Sequence, residues 1–172
     1  MGYSRLRINL HWLTVLLVFG AYLAINLESV FDSYRVDEWL MTIHYNLGLT
    51  IWCVMMIRWI IFLLDRKTPS IEPEPPRWQQ RIAKLLHWIL YGCFLCLPVL
   101  GVLTVALRGE SWEFWGVTIS ALPFNYHLSH IIKEIHEWVA TVGYYLIGIH
   151  AFAALYHHFH LKDNTLVRML RP

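Results

Sequence analysis

The chain has 172 residues, of which 57% are hydrophobic, and a formal net charge of +2. Its apolar residues come in long runs, which is typical of a membrane protein rather than of a water-soluble domain. The basic residues lie beside these runs and form no separate patch, so nucleic-acid binding has no support. The sequence also contains no glycine-rich phosphate loop, no nucleophile elbow and no HExxH motif.

Four apolar stretches are long enough to cross a bilayer, because its hydrocarbon core takes about 20 residues of helix. We expect one domain, an all-α integral membrane four-helix bundle. The predicted helices are roughly residues 8–27, 39–64, 85–107 and 135–160. We expect the first stretch to be a membrane helix and not a cleaved signal peptide, because it contains the polar His11 and no small-residue cleavage site follows it.

The distribution of charge predicts the orientation in the membrane. Eleven of the fourteen Lys and Arg residues lie near the chain ends or at and between helices two and three. Eight of the twelve acidic residues lie on the opposite side. By the positive-inside rule, both termini and the loop around residues 69–76 are expected to be cytoplasmic.

Helices one and two each carry a histidine, and the two histidines lie near opposite edges of the membrane. His11 lies about one turn inside the cytoplasmic edge, where it is either a ligand or a side chain reaching towards water. His44 lies near the periplasmic edge, and Gly48 follows one turn later on nearly the same face. Arg58, 14 residues beyond His44, shares that face near the cytoplasmic end. A charge there pairs either with an acidic group inside the bundle or with lipid headgroups.

The prolines between helices two and three predict an extended connector over residues 65–80. Helix three has His87 near its cytoplasmic start and is otherwise apolar. The three cysteines all fall inside apolar stretches and are expected to pack as buried thiols between helices.

The loop between helices three and four is aromatic but too short to span the membrane. We expect it to lie on the periplasmic interface and to cover the bundle. His127 and His130, which fall in this loop, are interpreted as solvated side chains rather than ligands.

Helix four carries the most informative spacing. His136 and His150 are 14 residues apart, which places them about 40° out of register and roughly 21 Å apart along the axis. One face therefore presents a histidine near each edge of the bilayer. Gly143 lies midway, where a missing side chain would let a flat ligand approach the backbone. His157 continues the same stripe seven residues later.

The histidines of three helices fall into two levels. His44 and His136 share the periplasmic level, and His11 and His150 share the cytoplasmic level. Zinc would require a tight cluster of three or four ligands. Two pairs at two depths match two haems instead, each held between helices by an axial nitrogen from either side. Two haems arranged in this way predict electron transfer across the bilayer.

The whole chain resembles the bacterial cytochrome b561 family, which is related to the cytochrome b subunits of membrane formate dehydrogenase and nickel-iron hydrogenase. The resemblance rests on the stretches YSRLRINLHWL, IHYNLG, HEWVATVGYYLIGIHAFAALYHH and KDNTLVRML. It implies two haem b groups with the same pairing of histidines, in a multi-pass protein of the bacterial inner membrane.

The resemblance also implies a reaction, because the best-known member type is a superoxide oxidase that takes an electron from periplasmic superoxide and reduces ubiquinone. The acidic periplasmic loops oppose long-range attraction of the superoxide anion. Lys133, one turn before the periplasmic histidine of helix four, would supply a local positive entrance.

A quinone near the cytoplasmic haem needs hydrogen-bond donors for its carbonyl oxygens. The first candidate is His157, because it lies on the face of the cytoplasmic haem ligand. The further candidates are Lys162, Arg58 and His87. Each of the four would alternatively pair with haem propionates or with lipid headgroups.

Two other functions remain open on the sequence. One is an anchor and electron relay within a larger quinone-linked dehydrogenase, where a protein donor with iron-sulfur clusters supplies the electrons. The other is a haem-free bundle whose histidines serve proton transfer or metal transport. Short loops without a cysteine-rich docking element favour a chain that acts alone. The sequence leaves open whether the chain forms a homo-oligomer.

Overall fold

The structure is a computed structural model that describes residues 3–28, 30–31, 33–64 and 69–171. Four long helices make up most of it, namely α1 (Arg5–Leu27), α2 (Tyr34–Leu64), α3 (Arg77–Leu107) and α4 (Tyr126–Tyr156). The shorter elements are the strands β1 (Trp112–Phe114) and β2 (Val117–Ile119), a π-helical turn (His157–Leu161) and a 3-10 turn (Val167–Met169). The predicted all-α membrane bundle is confirmed.

Successive helices run in opposite directions, and α1 packs on α2, α2 on α3 and α3 on α4. The backbone N–H of Tyr3 donates to the carbonyl of Arg168 at 3.3 Å, so both chain ends lie at one end of the bundle. We call this the terminal end. The strands β1 and β2 lie at the opposite end, which we call the hairpin end.

The outer surface of the bundle is apolar. All four long helices among the described residues have the length and apolar composition needed to cross a membrane. Leu16, Phe19 and Phe152 are each more than 60% exposed on this surface. A continuous apolar exterior of this kind requires lipid rather than water around it.

The packed core is contributed by three of the helices. Its buried members are Val18, Ala21, Ile51, Met55, Phe94 and Leu97, from α1, α2 and α3. By contrast, α4 buries only Ser129 and Gly143 along its described length. The side of α4 that faces the bundle is therefore incompletely packed.

All four helices begin before the predicted residues, by three residues in α1 and by five to nine in the others. Hydropathy marks only the apolar part of a helix, whereas polar first turns still form helical hydrogen bonds. The connector before α3 therefore ends at Pro76 rather than at residue 80. Its residues Arg66 and Lys67, which contributed to the predicted orientation, lie outside the described residues.

The predicted loop between α3 and α4 contains a small antiparallel hairpin, with Trp112 opposite Ile119. Trp115 and Gly116 form its two-residue turn and both have positive φ, 46° and 87°, as tight hairpin turns require. The N–H of Trp115 donates to Oδ1 of Asn46 on α2 at 3.1 Å, which fixes the hairpin against the bundle.

His127 and His130 lie in the first turns of α4 rather than in a loop, because the helix begins at Tyr126. Both side chains are exposed, as expected. The thiol prediction is wrong for Cys53 and Cys96, which are exposed on the outer faces of their helices.

The C-terminal segment, residues 162–171, packs across the terminal end. The indole N–H of Trp12 in α1 donates to the carbonyl of Met169 at 2.8 Å. The N–H of Glu72 in the connector donates to Oδ1 of Asn164 at 3.0 Å. The segment therefore ties α1 and the connector to the end of α4.

Candidate cofactor-binding site

Two histidines face each other at the hairpin end. The ring centroids of His44 on α2 and His136 on α4 are 6.3 Å apart, with ring planes at 79°. Nδ1 of His44 donates to the carbonyl of Ala21, and Nδ1 of His136 donates to that of Leu97, both at 2.9 Å. Because each Nδ1 carries the hydrogen, Nε2 of each neutral ring keeps its lone pair for a metal.

A second pair lies at the terminal end. The ring centroids of His11 on α1 and His150 on α4 are also 6.3 Å apart, with ring planes at 65°. The structure therefore brings together both pairs that the sequence predicted. It adds a third imidazole to this level, because the ring of His87 on α3 lies 5.2 Å from that of His150.

The spacing of both pairs fits one metal ion between two imidazoles. Each metal–nitrogen bond is about 2 Å long, and each ring centre lies about 1 Å beyond its nitrogen. Two imidazoles on opposite sides of one ion therefore have ring centroids roughly 6 Å apart. No group of three or more His, Cys, Asp or Glu side chains that could hold a metal is found in the part of the chain that the structure describes. Paired axial ligation suits the iron of a haem, whose other four ligands come from the porphyrin.

The helix packing leaves a place for a flat group beside α4. A cavity of about 30 Å³ lies between the two histidines of the hairpin end, and its lining includes Gly48, Gly101 and Trp112. A side chain at Gly48 would meet nothing within 4 Å. The cavity is much smaller than a porphyrin, so binding of a porphyrin there would require side chains beside the incompletely packed face of α4 to move.

Gly101 and Gly143 have a different role from Gly48. A Cβ at Gly101 would lie 3.3 Å from Cε1 of His136, so this glycine makes room for the histidine ring. A Cβ at Gly143 would lie 3.2 Å from the hydroxyl oxygen of Tyr22, which donates to the carbonyl of Ala140 at 2.7 Å. Tyr22 therefore lies in front of Gly143 and joins α1 to α4, and the expectation that Gly143 admits a flat ligand stays a prediction.

Replacing Gly143 by leucine is expected to lower the melting temperature on the order of 5 °C, because overpacking displaces Tyr22 and breaks its bond to α4. Gly148→Leu on the same helix is the matched control, since nothing lies within 4 Å of a Cβ there. Thermal unfolding of the purified variants in detergent measures the difference. Equal melting temperatures for the two variants would show that Gly143 has no packing role.

Arg58 points into the terminal level rather than towards headgroups. One of its guanidinium nitrogens donates to Nδ1 of His11 at 3.3 Å, and its guanidinium carbon lies 5.7 Å from the centre of the Tyr91 ring. No carboxylate pairs with it among residues 3–28, 30–31, 33–64 and 69–171. The acidic partner considered from the sequence is therefore not found among these residues.

The remaining predicted site residues lie at the two ends of α4. Lys133 is half-exposed, and its Nζ is 3.1 Å from Oε1 of Glu137. His157 begins the π-helical turn, and its Nδ1 is 2.5 Å from Oδ2 of Asp163. Lys162 is exposed, ends the turn and borders an open cleft of about 380 Å³.

Asp163 was missed by the sequence analysis. Its carboxylate is buried, and Oδ1 also accepts the N–H of Thr165 at 2.8 Å. The available signal was an acidic residue six positions after a histidine at a helix end, which is weak by itself.

Comparison with known proteins assigns the chain to a family. The family model of prokaryotic cytochrome b561 matches residues 2–172. The chain is 44% identical over 172 residues to Cytochrome b561 homolog 1 of Escherichia coli (strain K12), covering 98% of this chain and 96% of the relative. It is 39% identical over 169 residues to Probable superoxide oxidase CybB of Yersinia pestis, covering 98% and 95%. Cytochrome b562 of Cereibacter sphaeroides is 26% identical, covering 99% and 96%.

Proposed function

Since this chain belongs to the prokaryotic cytochrome b561 family, we propose that it is a di-haem oxidoreductase that carries electrons from superoxide to ubiquinone. Membership of the family implies haem b. Together with the four apolar helices, it makes the chain a multi-pass protein of the bacterial inner membrane. The observation that carries the proposal is the pair of histidine levels, each with a ring separation of 6.3 Å.

The proposed axial ligands are His44 with His136 at the hairpin end and His11 with His150 at the terminal end. Haem iron held by two imidazoles would supply one-electron transfer between its two oxidation states and would leave no position open for oxygen. The carbonyls that accept from Nδ1 of His44 and His136 orient those rings and make Nε2 a stronger ligand.

At the terminal end the protein changes a contact when the haem binds. Nδ1 of His11 accepts from Arg58, so the hydrogen of the neutral ring lies on Nε2. Ligation through Nε2 requires the hydrogen on Nδ1 instead. The hydrogen bond from Arg58 to Nδ1 and iron ligation through Nε2 therefore exclude each other. We propose that Arg58 then neutralises a haem propionate, which supplies the negative partner that this buried cation needs.

The charge distribution supports an orientation with the terminal end in the cytoplasm, because the Lys and Arg residues are concentrated there. Superoxide would then reach the hairpin end from the periplasm. Lys133 lies one turn before His136 and would be its local positive entrance. Its ammonium already pairs with Glu137, so the anion would compete with that carboxylate.

Ubiquinone would bind near the terminal end, where electrons leave the second haem. His157 lies on the His150 face of α4 and remains the first candidate for a donor to the quinone. Lys162, Arg58 and His87 are the others. His87 is already within ring contact of His150, and Arg58 within hydrogen-bond distance of His11.

The proposal predicts that superoxide reduces the haems of the purified, quinone-free protein. Mixing the oxidised protein with a superoxide source is expected to produce the reduced haem spectrum within the lifetime of the superoxide, and superoxide dismutase is expected to abolish it. Addition of a short-chain ubiquinone is expected to reoxidise the haems. Haems that stay oxidised in superoxide, yet are reduced by a partner dehydrogenase, would identify a relay subunit instead.

A further inference from the structure

The carboxylate of Asp163 is held against His157 by the shape of the chain at the end of α4. The π-helical turn ends at Leu161, and the next residue, Lys162, has a φ of 55° in the left-handed region, which turns the chain back. The N–H of Asp163 then donates to the carbonyl of His157 at 3.2 Å. As a result, Oδ2 lies 2.5 Å from Nδ1 of His157.

The second carboxylate oxygen is fixed as well. Oδ1 accepts the N–H of Thr165 at 2.8 Å, and the residue is only 6% exposed. Burial by itself raises the pKa of Asp163, but the hydrogen bonds from His157 and Thr165 outweigh it and hold that pKa below its usual value. The group is therefore ionised at neutral pH and favours a hydrogen on Nδ1 of His157.

The His157 ring lies in the direction of the terminal haem ligands. It follows His150 by seven residues, which places it on the same face of α4 and about 10 Å nearer the chain end. With Nδ1 engaged by Asp163, Nε2 is the nitrogen that remains for a ligand. The His157 side chain is 20% exposed, and it lies at the end of the bundle where the quinone is proposed to receive electrons.

Resting on the proposed function, we infer that Asp163 is a positioning residue for proton delivery to the quinone. It accepts Nδ1–H of His157 and fixes the ring, so that a proton carried on Nε2 is directed to a quinone oxygen. When reduced quinone takes the proton, the Nε2–H bond breaks, an O–H bond forms and the ring becomes neutral. Two electrons from the haem and two such protons convert one ubiquinone to ubiquinol. Two superoxide anions supply these electrons and become two molecules of dioxygen.

An open cleft lies beside this pair at the terminal end of the bundle. Asp163 also borders the open cleft of about 380 Å³. The other titratable groups around the cleft are Glu72 of the connector and His158 and Lys162 of the α4 end. Glu72 and Lys162 are exposed, so the cleft is open to the aqueous phase, from which protons would replace those given to the quinone.

Asp163→Asn tests the inference, because the amide keeps the shape of the side chain and removes its charge. The haems are first reduced with dithionite, and their reoxidation by a short-chain ubiquinone is followed by stopped flow between pH 6 and pH 9. We expect reoxidation at pH 8 to be about tenfold slower than in the unchanged protein.

Three further variants separate proton delivery from a general loss of structure. His157→Gln is expected to slow reoxidation as Asp163→Asn does, and the double variant is expected to be no slower than either. His160→Gln removes an exposed imidazole from the same turn and should retain the normal rate. Asp163→Glu is expected to recover part of the rate, because it restores the charge.

An unchanged rate of reoxidation in Asp163→Asn would overturn the inference. So would additive losses in the double variant, or haem loss that accounts for the slower rate. Because dithionite reduces the haems in this test, its result does not depend on whether superoxide is the electron donor. If superoxide fails to reduce the unchanged protein but ubiquinone still reoxidises it, the proposed donor is wrong and the role of Asp163 can still be measured.

Discussion

Replacing His136 by alanine is expected to reduce the haem content from two per chain to one and to stop reduction by superoxide. The ring of His136 faces His44 at 6.3 Å, and its Nδ1 bond to Leu97 fixes its orientation. The sequence contains no haem-attachment motif, since Cys96 is not followed by histidine, so the haem is held by its axial bonds and by packing. The remaining haem would lie roughly 21 Å further along α4, too far to replace it as the entry point.

His130→Ala is the matched control for that variant. It removes an imidazole from the same helix, but the ring is exposed and lies 3.5 Å from Glu134 rather than across from another histidine. This control should keep both haems and normal reduction by superoxide. Two haems in His136→Ala would contradict the assignment of the hairpin pair.

Replacing His150 by alanine is expected to remove the other haem and to leave a protein that superoxide reduces but ubiquinone does not reoxidise. The two half-reactions separate because each depends on a different level of the bundle. Haem content and stopped-flow reoxidation by ubiquinone measure the two effects. Reoxidation at the normal rate would show that the quinone takes electrons at the hairpin end.

His11→Ala is expected to have a weaker effect than His150→Ala, although both residues are proposed ligands of the same haem. The ring of His87 lies 5.2 Å from that of His150, so a second imidazole is available opposite the same ligand after a movement of about 1 Å. Combining His11→Ala with His87→Gln should remove the terminal haem completely. Equal haem loss in His11→Ala and the combined variant would exclude this substitution by His87.

The helices and the histidine levels could be predicted from sequence because both follow from distances along the chain. A helix rises by a fixed amount per residue, so the spacing of His136 and His150 determines two depths without knowledge of the packing. The helix starts were less predictable from hydropathy. Pro76 before α3 and the Asn125 cap of α4 were nevertheless available signals, since both residue types favour helix N-termini.

The roles of Gly143 and Asp163 could not be predicted in the same way. Gly143 has the spacing expected of a ligand-facing glycine, but only the packing of α1 shows that Tyr22 fills the space in front of it. Asp163 reaches His157 because Lys162 adopts a left-handed backbone conformation. Lysine seldom adopts this conformation, so the sequence gives no reason to expect it there. Both depend on tertiary contacts rather than on periodicity.

The haem-to-protein ratio of the purified chain tests the central assignment most directly, when it is measured beside His136→Ala and His150→Ala. Two histidine levels that each bind one iron porphyrin predict two haems b in the unchanged protein and one in each variant. One haem in the unchanged protein, or two in either variant, would contradict the two-level arrangement and the electron path across the membrane that depends on it.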